Sequence, residues 1–338
     1  MASAFDRYSK QILFSRIGVS GQEKLSSSFV VVAGCGALGS VVSSILARAG
    51  VGKIRIIDRD FVEENNLQRQ MLFDETDIKE MLPKVVAAKK HLEKVNSLIE
   101  IEARVADINF SNAEELLGGA GVIVDGLDNF ETRLLINDFA LKNNIPYVYG
   151  GAVGSSGMTM NIIPHRSPCF RCLLGGIPGP QPPITCDTVG VLASAPVTIG
   201  ALEALEAIKI LIGGMEINDK LIYIDLWNGI FHSFKVSPDP DCPACNGKYD
   251  FLEGREGIKT TILCGSDSVM VSGGKAWGSF EEIAERLSHL GNVNYNEFML
   301  RFFAEGIEMT LFLDGRAIMK NTRDESFAKK LYAKYFGV

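Results

Sequence analysis

Four groups of residues in this 338-residue chain have types and spacings that could do chemistry. The first is Gly34-Cys35-Gly36-Ala37-Leu38-Gly39, a G-x-G-x-x-G run, with Asp58 about 20 residues beyond it. Glycines at this spacing let the chain turn tightly and present backbone N–H groups to a phosphate at the positive end of a helix. A carboxylate placed like Asp58 suits a ribose hydroxyl. The second group is a pair of cations, Arg69 within NNLQRQ and Lys84 directly after Pro83. A nicotinamide dinucleotide has no need of them. A triphosphate does, because Arg clamps phosphate oxygens and Lys supplies a point charge. The third is Asp128 in GLDN, behind the apolar run GVIVDG, a carboxylate able to hold Mg²⁺ against phosphates.

The fourth group is made of cysteines. Cys169 and Cys172 form one C-x-x-C, Cys242 and Cys245 another. Together they offer four thiolates, enough for tetrahedral Zn²⁺; separately each could be a redox dithiol. The redox reading expects its pair at the start of a βαβ unit, whereas both pairs here sit in Pro- and Gly-rich loop sequence. Cys186, in TCDTVGV, has no x-x-Cys partner. A thiolate near cations is a nucleophile, but a lone Cys is often a small packing group. Cys35 and Cys264 read as packing.

These groups need a scaffold that brings them to one edge. FVVVAG (29–34) is a β-branched strand running into the glycines, and the helical segment after it stops at Gly50. KIRIID (53–58), IEIEARVAD (99–107), GVIVDG (121–126) and PYVYGGAVG read as further strands. PKVVAAKKHLEKVN and residues 130–143 read as helices between them. Alternation of this kind predicts an α/β fold: a doubly wound, Rossmann-like parallel sheet that binds ligands beyond its strands' carboxyl ends. Residues 165–195 break the pattern as a long loop of functional character. PVTIGALEALEAIKILIGG then resumes as a helix, followed by strands LIYIDLWNG and FHSFKV. The composition shifts after Cys245. The expected domains are 1–250, an ATP-binding unit with the Cys₄ subsite, and 255–338, a small α+β unit.

Composition narrows the function classes. The net charge of −7, without a basic block, argues against nucleic acid and membrane surfaces as partners. No apolar run is long enough to span a bilayer, and MASAFDRYSKQILF lacks the apolar core of an export signal. Seven cysteines, an odd number, point to thiol or metal chemistry in a reducing compartment, so a cytoplasmic location is expected.

The segments RYSKQILF, GCGALGS, ARAGVGKIRIIDRDFVEENNLQRQ, LPKVVAAKK, DGLDNFETR, CFRC, TCDTVGV, EALEAIKIL and CPAC occur in an order that resembles the ThiF/MoeB/HesA family over about residues 5–246. These relatives of ubiquitin-activating enzymes adenylate the C-terminal carboxylate of small ubiquitin-fold sulfur carriers. The resemblance implies ATP held at Gly34, Gly36, Ala37 and Gly39. It gives Asp58 the ribose, Asn66, Arg69 and Lys84 the phosphates, and Asp128, beside Asn129, the catalytic Mg²⁺. It makes Cys169, Cys172, Cys242 and Cys245 the ligands of a structural Zn²⁺, and gives Cys186 a covalent role in some relatives only. It also implies a homodimer in which Lys10 reaches the neighbouring subunit's ATP, a Gly-Gly-ended carrier, and a sulfur donor such as a cysteine desulfurase. Thiamin and molybdopterin synthesis are the pathways it suggests. The chain departs from the pattern at Lys10, where Arg is usual, at Ala37, where Gly is common, and at Gly126-Leu127, where Cys-Thr is usual. The tail, with Cys264 in TILCG as its one cysteine, is too short for the rhodanese domain some relatives carry. The competing readings are an NAD-dependent oxidoreductase and a non-catalytic zinc-braced scaffold.

Overall fold

Strand β1 (Phe29–Ala33) lies in the middle of the main sheet, and its last four residues are buried. Its alternate side chains face opposite layers. Val31 and Ala33 join a core cluster with the helix Phe130–Asn143, while Val32 lies against Gly39 of the helix Ala37–Ala49. A strand covered on both faces must be apolar throughout, which is why FVVVA carries no polar alternation. β2 (Lys53–Asp58), β3 (Glu100–Val105), β4 (Val122–Asp125) and β5 (Tyr147–Val153) join it in parallel, with Val32 paired to Ile56 on one side and to Val124 on the other.

The sheet has eight strands in the order β3-β2-β1-β4-β5-β6-β7-β8. The parallel arrangement expected from the sequence holds for β1 to β5. Beyond it, β6 (Ser156–Ile162), β7 (Leu221–Asp225) and β8 (Ile230–Phe234) extend the sheet in antiparallel fashion. β6 has no strand-like signature in SGMTMNI; it forms because the tight turn at Gly154-Ser155 folds it back on β5, pairing Val153 with Ser156. The loop reading of 165–195 is also interrupted by a short helix, Phe170–Leu174, and the next helix runs Ser194–Ile212.

The computed structural model describes residues 6–175, 189–214, 216–255, 261–263, 268–271 and 279–336. Cys186 and Cys264 lie outside the described residues. The chain divides into two units, residues 1–256 and 257–338. The second is an antiparallel sheet of β9 (Thr261–Leu263), β10 (Ser268–Val271), β11 (Asn292–Tyr295), β12 (Met299–Ala304), β13 (Ile307–Phe312) and β14 (Ala317–Lys320), in the order β11-β12-β13-β14-β10-β9. Its core joins Leu300, Phe302, Met309 and Met319 to Ile283 and Leu287 of one helix and Leu331 and Tyr335 of another. Among the described residues no helix is long and apolar enough to cross a membrane.

Candidate active site

β1 is flanked by β2 on one side and β4 on the other, so the loops leaving β1 and β4 run side by side. Such a switch point is where open α/β sheets bind ligands. The two loops touch through glycines: the Gly126 N–H donates to the Ala33 carbonyl at 2.7 Å. A Cβ on Gly39 would stand 2.0 Å from the Gly34 carbonyl oxygen. Gly34 itself has φ +94°, and a Cβ there would meet the Gly126 carbonyl at 2.4 Å. Gly36 is different. A Cβ on it would make only ordinary contacts, with the Gly126 carbonyl at 3.7 Å and Gln70 Nε2 at 4.0 Å, so the chain is less tightly covered at the start of the helix Ala37–Ala49 than at Gly34 or Gly39.

Asp58 closes β2 beside this turn. Its Oδ2 accepts the Cys35 N–H at 2.6 Å and its Oδ1 the Asp60 N–H at 2.8 Å. A carboxylate has acceptor sites for about four donors, so two remain for a ligand hydroxyl. Burial pushes the Asp58 carboxyl up, against the opposing pull of Lys84. Lys84, at the start of the helix Lys84–Val95, is buried with Nζ 3.0 Å from Asp60 Oδ2. Burial alone would lower its ammonium, but Asp60 and Asp58 outweigh that and hold it above the ordinary range. The site therefore contains a desolvated permanent cation, which acts more strongly on phosphate than a solvated one.

Asn66 and Arg69 lie on a turn after β2. Asn66 is buried, its Nδ2 donating to Asn65 Oδ1 at 2.6 Å, while half-buried Arg69 donates through Nη1 to the Asn65 carbonyl at 2.7 Å. Asp128 is exposed on the loop after β4, and its charge acts on both Lys84 and Arg59. Asn129 caps the helix Phe130–Asn143, its Oδ1 accepting from the Thr132 N–H at 2.9 Å. Its amide group is thereby committed to the helix on one side and points to Asp128 Oδ1, 3.4 Å away, on the other.

The Asp128 loop is held by a buried ion pair that the sequence did not reveal. Arg133 Nε lies 2.8 Å from Asp125 Oδ2, which also accepts the Tyr147 hydroxyl at 2.6 Å. Leu127, the residue before Asp128, is clamped at both backbone groups. Its N–H donates to Asp125 Oδ1 at 2.8 Å and its carbonyl accepts from Arg133 Nη2 at 2.6 Å. Three further residues were missed: Asp60, the partner of Lys84; Arg59, paired to Asp107 at 2.8 Å; and Gln70. Gln70 is buried, its Oε1 has no partner, and its Nε2 is 4.0 Å from the position of a Gly36 Cβ. A buried unpaired carbonyl beside the glycine turn is what a nucleotide or substrate donor would satisfy.

Away from this corner, the two C-x-x-C pairs meet. Sγ–Sγ distances are 3.8 Å for Cys169–Cys172, 3.6 Å for Cys169–Cys242 and 3.6 Å for Cys172–Cys245. Four sulfurs bound tetrahedrally to Zn²⁺ at about 2.3 Å lie about 3.8 Å apart, so the set fits that ion, and it is not bridged as disulfides. Side chains of the helix Phe130–Asn143 tie both knuckles down. Asn137 Oδ1 accepts the Phe170 N–H at 2.8 Å, and Asp138 Oδ2 accepts the Phe251 N–H at 3.1 Å.

The ThiF family profile matches residues 8–244. The chain belongs to the ThiF family. It is 39% identical over 336 residues to the sulfur carrier protein ThiS adenylyltransferase of Bacillus subtilis, covering 98% of this chain and 99% of that one. Its identity to the SAMP-activating enzyme E1 of Haloferax volcanii is 37%, across 78% of this chain and 97% of that one. Among solved structures, E. coli MccB with ATP matches with a TM-score of 0.62 and 28% identity over 71% of this chain and 74% of that one.

Within this ThiF-family chain Lys10 stands apart from the corner. Tyr8 and Gln11 bind the far end of the helix Ala37–Ala49: the Tyr8 ring fills the space of a Gly50 Cβ, and Gln11 Nε2 donates to the Ala49 carbonyl at 2.9 Å. That 13-residue helix is about 20 Å long. Lys10, exposed beside Gln11, is therefore a helix length away from Gly36 in its own chain.

Proposed function

We propose that this chain is an ATP-dependent adenylyltransferase that activates the C-terminal Gly-Gly carboxylate of a small ubiquitin-like sulfur carrier. The observation that carries the reading is the corner itself: a ribose-type carboxylate held by two amides, a buried lysine and an acidic loop gather about the glycine turn before a helix N-terminus. The name of the Bacillus subtilis relative, which matches along nearly the whole chain, supports the substrate class.

The carrier carboxylate attacks the α-phosphorus of ATP, forming a C–O–P bond as the bond to pyrophosphate breaks. No general base is required, because the carboxylate is already ionised at neutral pH. Asp58 orients the ribose. Lys84 and Arg69, with Asn66 beside them, face the phosphates and take up the charge that develops on the leaving group. Asp128 is the residue to hold Mg²⁺, whose charge, when bound, offsets that of the triphosphate. Cys169, Cys172, Cys242 and Cys245 would hold a structural Zn²⁺; their closed set leaves no position for water.

The separation of Lys10 from its own corner supports a homodimer in which Lys10 serves the other subunit's ATP. The outer sulfur of a donor persulfide, such as that of a cysteine desulfurase, then attacks the acyl-adenylate carbonyl and displaces AMP. A thiol, for which Cys186 is the residue in this chain, attacks the acyl disulfide so formed, releasing the carrier thiocarboxylate and forming a disulfide with the donor. Thiamin or molybdopterin synthesis is the destination, and a reduced Cys₄ set and a need for ATP both suit the cytoplasm. The test is transfer of label from α-³²P-ATP to a ThiS-like carrier. Labelled carrier adenylate is expected, and a carrier lacking its last glycine is expected to remain unlabelled. An unlabelled intact carrier, tried across ThiS- and MoaD-like proteins, would overturn the reading.

A further inference from the structure

Phe170 lies between two cysteines of the Cys₄ set, yet it points into the layer that holds the Asp128 loop. It is fully buried. Its ring stacks on Phe130 at 6.2 Å between centroids with an interplanar angle of 16°, and meets Tyr149 at 4.7 Å. These same two rings flank one guanidinium: Arg133 Cζ is 6.0 Å from the Phe130 centroid and 5.4 Å from that of Tyr149. Arg133 in turn donates to the Leu127 carbonyl, next to Asp128, and to the Gly150 carbonyl at 2.9 Å, next to Tyr149. The four side chains thus form a continuous packed path from the knuckle to the acidic loop.

We infer that Phe170 is a positioning residue for Asp128: fixed by the cysteines on either side, it wedges the two rings that aim Arg133, and Arg133 sets the backbone that presents the carboxylate. The inference rests on the corner being the MgATP site proposed above. A packed aromatic path can transmit order in this way because core side chains have few alternative arrangements. Arg133 depends on it twice, since its five donors need a fixed plane and its charge is favoured over the aromatic faces. Phe170 touches neither nucleotide nor carrier, and its backbone N–H is already committed to Asn137.

The test compares Phe170→Leu and Phe130→Leu with the parent and with a control, Phe302→Leu, a buried phenylalanine of the second unit. Three quantities are read: zinc content, equilibrium MgATP binding, and hydrogen exchange of the amides of residues 126–129. Both path variants are expected to keep one zinc per chain, to bind MgATP about tenfold more weakly, and to exchange these amides faster. The control is expected to change neither binding nor exchange. Phe130 is partly exposed, so Phe130→Leu decides the matter should Phe170→Leu fail to fold. MgATP binding within twofold of the parent, with unchanged exchange at 126–129, would overturn the inference. Carrier-dependent activity is not among the readouts. A parent that binds MgATP but adenylates no carrier would contradict the proposed function and leave this inference to be decided by its own binding data.

Discussion

The nucleotide corner and the Cys₄ lobe are built on opposite principles. The corner is local in sequence, spanning mainly Gly34 to Lys84, and is held by backbone geometry and charge: glycines in van der Waals contact, two amides on Asp58, and a buried lysine against Asp60. The lobe joins segments 73 residues apart through sulfur and is attached to the core by Asn137 and Asp138. The corner keeps an unpaired buried acceptor, Gln70 Oε1, beside the Gly36 turn, whereas the four thiols lie within reach of one another as a set. On the proposed reading, one part receives a ligand that comes and goes and the other keeps an ion. The helix Phe130–Asn143 is common to both, carrying Asn129 at its start and Asn137 and Asp138 in its third turn.

If this contrast is right, damage to the corner should remove chemistry and leave the metal. Lys84→Met is expected to lower ATP–pyrophosphate exchange by about 10²–10³-fold, the usual effect of losing one preorganised charge at a reacting phosphate. Metal analysis of the variant should still return one zinc per chain. Damage to the lobe should do the reverse. Cys242→Ser is expected to lose zinc and to lower the unfolding temperature by roughly 10 °C, as binding energy of a structural ion is folding energy. Calorimetry with and without added zinc checks this, and a variant with normal zinc and stability would remove the Cys₄ assignment.

A smaller effect sharpens the claim that the corner is incomplete in one chain. Lys10→Ala is expected to slow exchange about tenfold, the worth of one charge-assisted contact, with Lys10→Arg restoring it. In mixed dimers with a Lys84→Met partner, the only intact Lys84 site then takes its Lys10 from the inactive subunit. A Lys10→Ala change is expected to slow exchange when placed on the Lys84→Met subunit and to be silent when placed on the other.

The smallest effect concerns the lobe's attachment. Burial pushes the Asp138 carboxyl up to about 6 from 3.8, despite the amides of Phe251 and Leu252 that pull it down. The folded state then binds this proton more tightly than the unfolded state. The group's contribution to stability is complete below about pH 4 and is lost as pH rises toward 6. Asp138→Asn should remove that slope, so that the difference in urea midpoint between variant and parent changes between pH 4.5 and 6.5. A difference that stays flat would show that Asp138 titrates normally.

How much of this was legible in the sequence follows from the same contrast. The G-x-G-x-x-G run, Asp58 and Lys84 are readable as candidates because each sits on a local element, a strand end or a helix start. The two C-x-x-C pairs announce themselves by composition. Asp60 reads as one more solvated acid, and only the fold turns the Lys84 ammonium toward it. The Asp125–Arg133 pair was equally hidden: a strand-end carboxylate and a residue in the first turn of a helix become partners because both are excluded from water, and sequence spacing does not encode that exclusion. β6 escaped notice for a related reason. Its pairing is imposed by a turn, and SGMTMNI has little strand propensity of its own.

The most direct test of the central claim is carrier-dependent exchange of labelled pyrophosphate into ATP by the intact chain. The account predicts label in ATP only when a Gly-Gly-ended carrier is present, and almost none from Asp128→Asn under the same conditions. Absence of exchange with every ThiS- and MoaD-like carrier, from protein shown to bind MgATP and zinc, would contradict it.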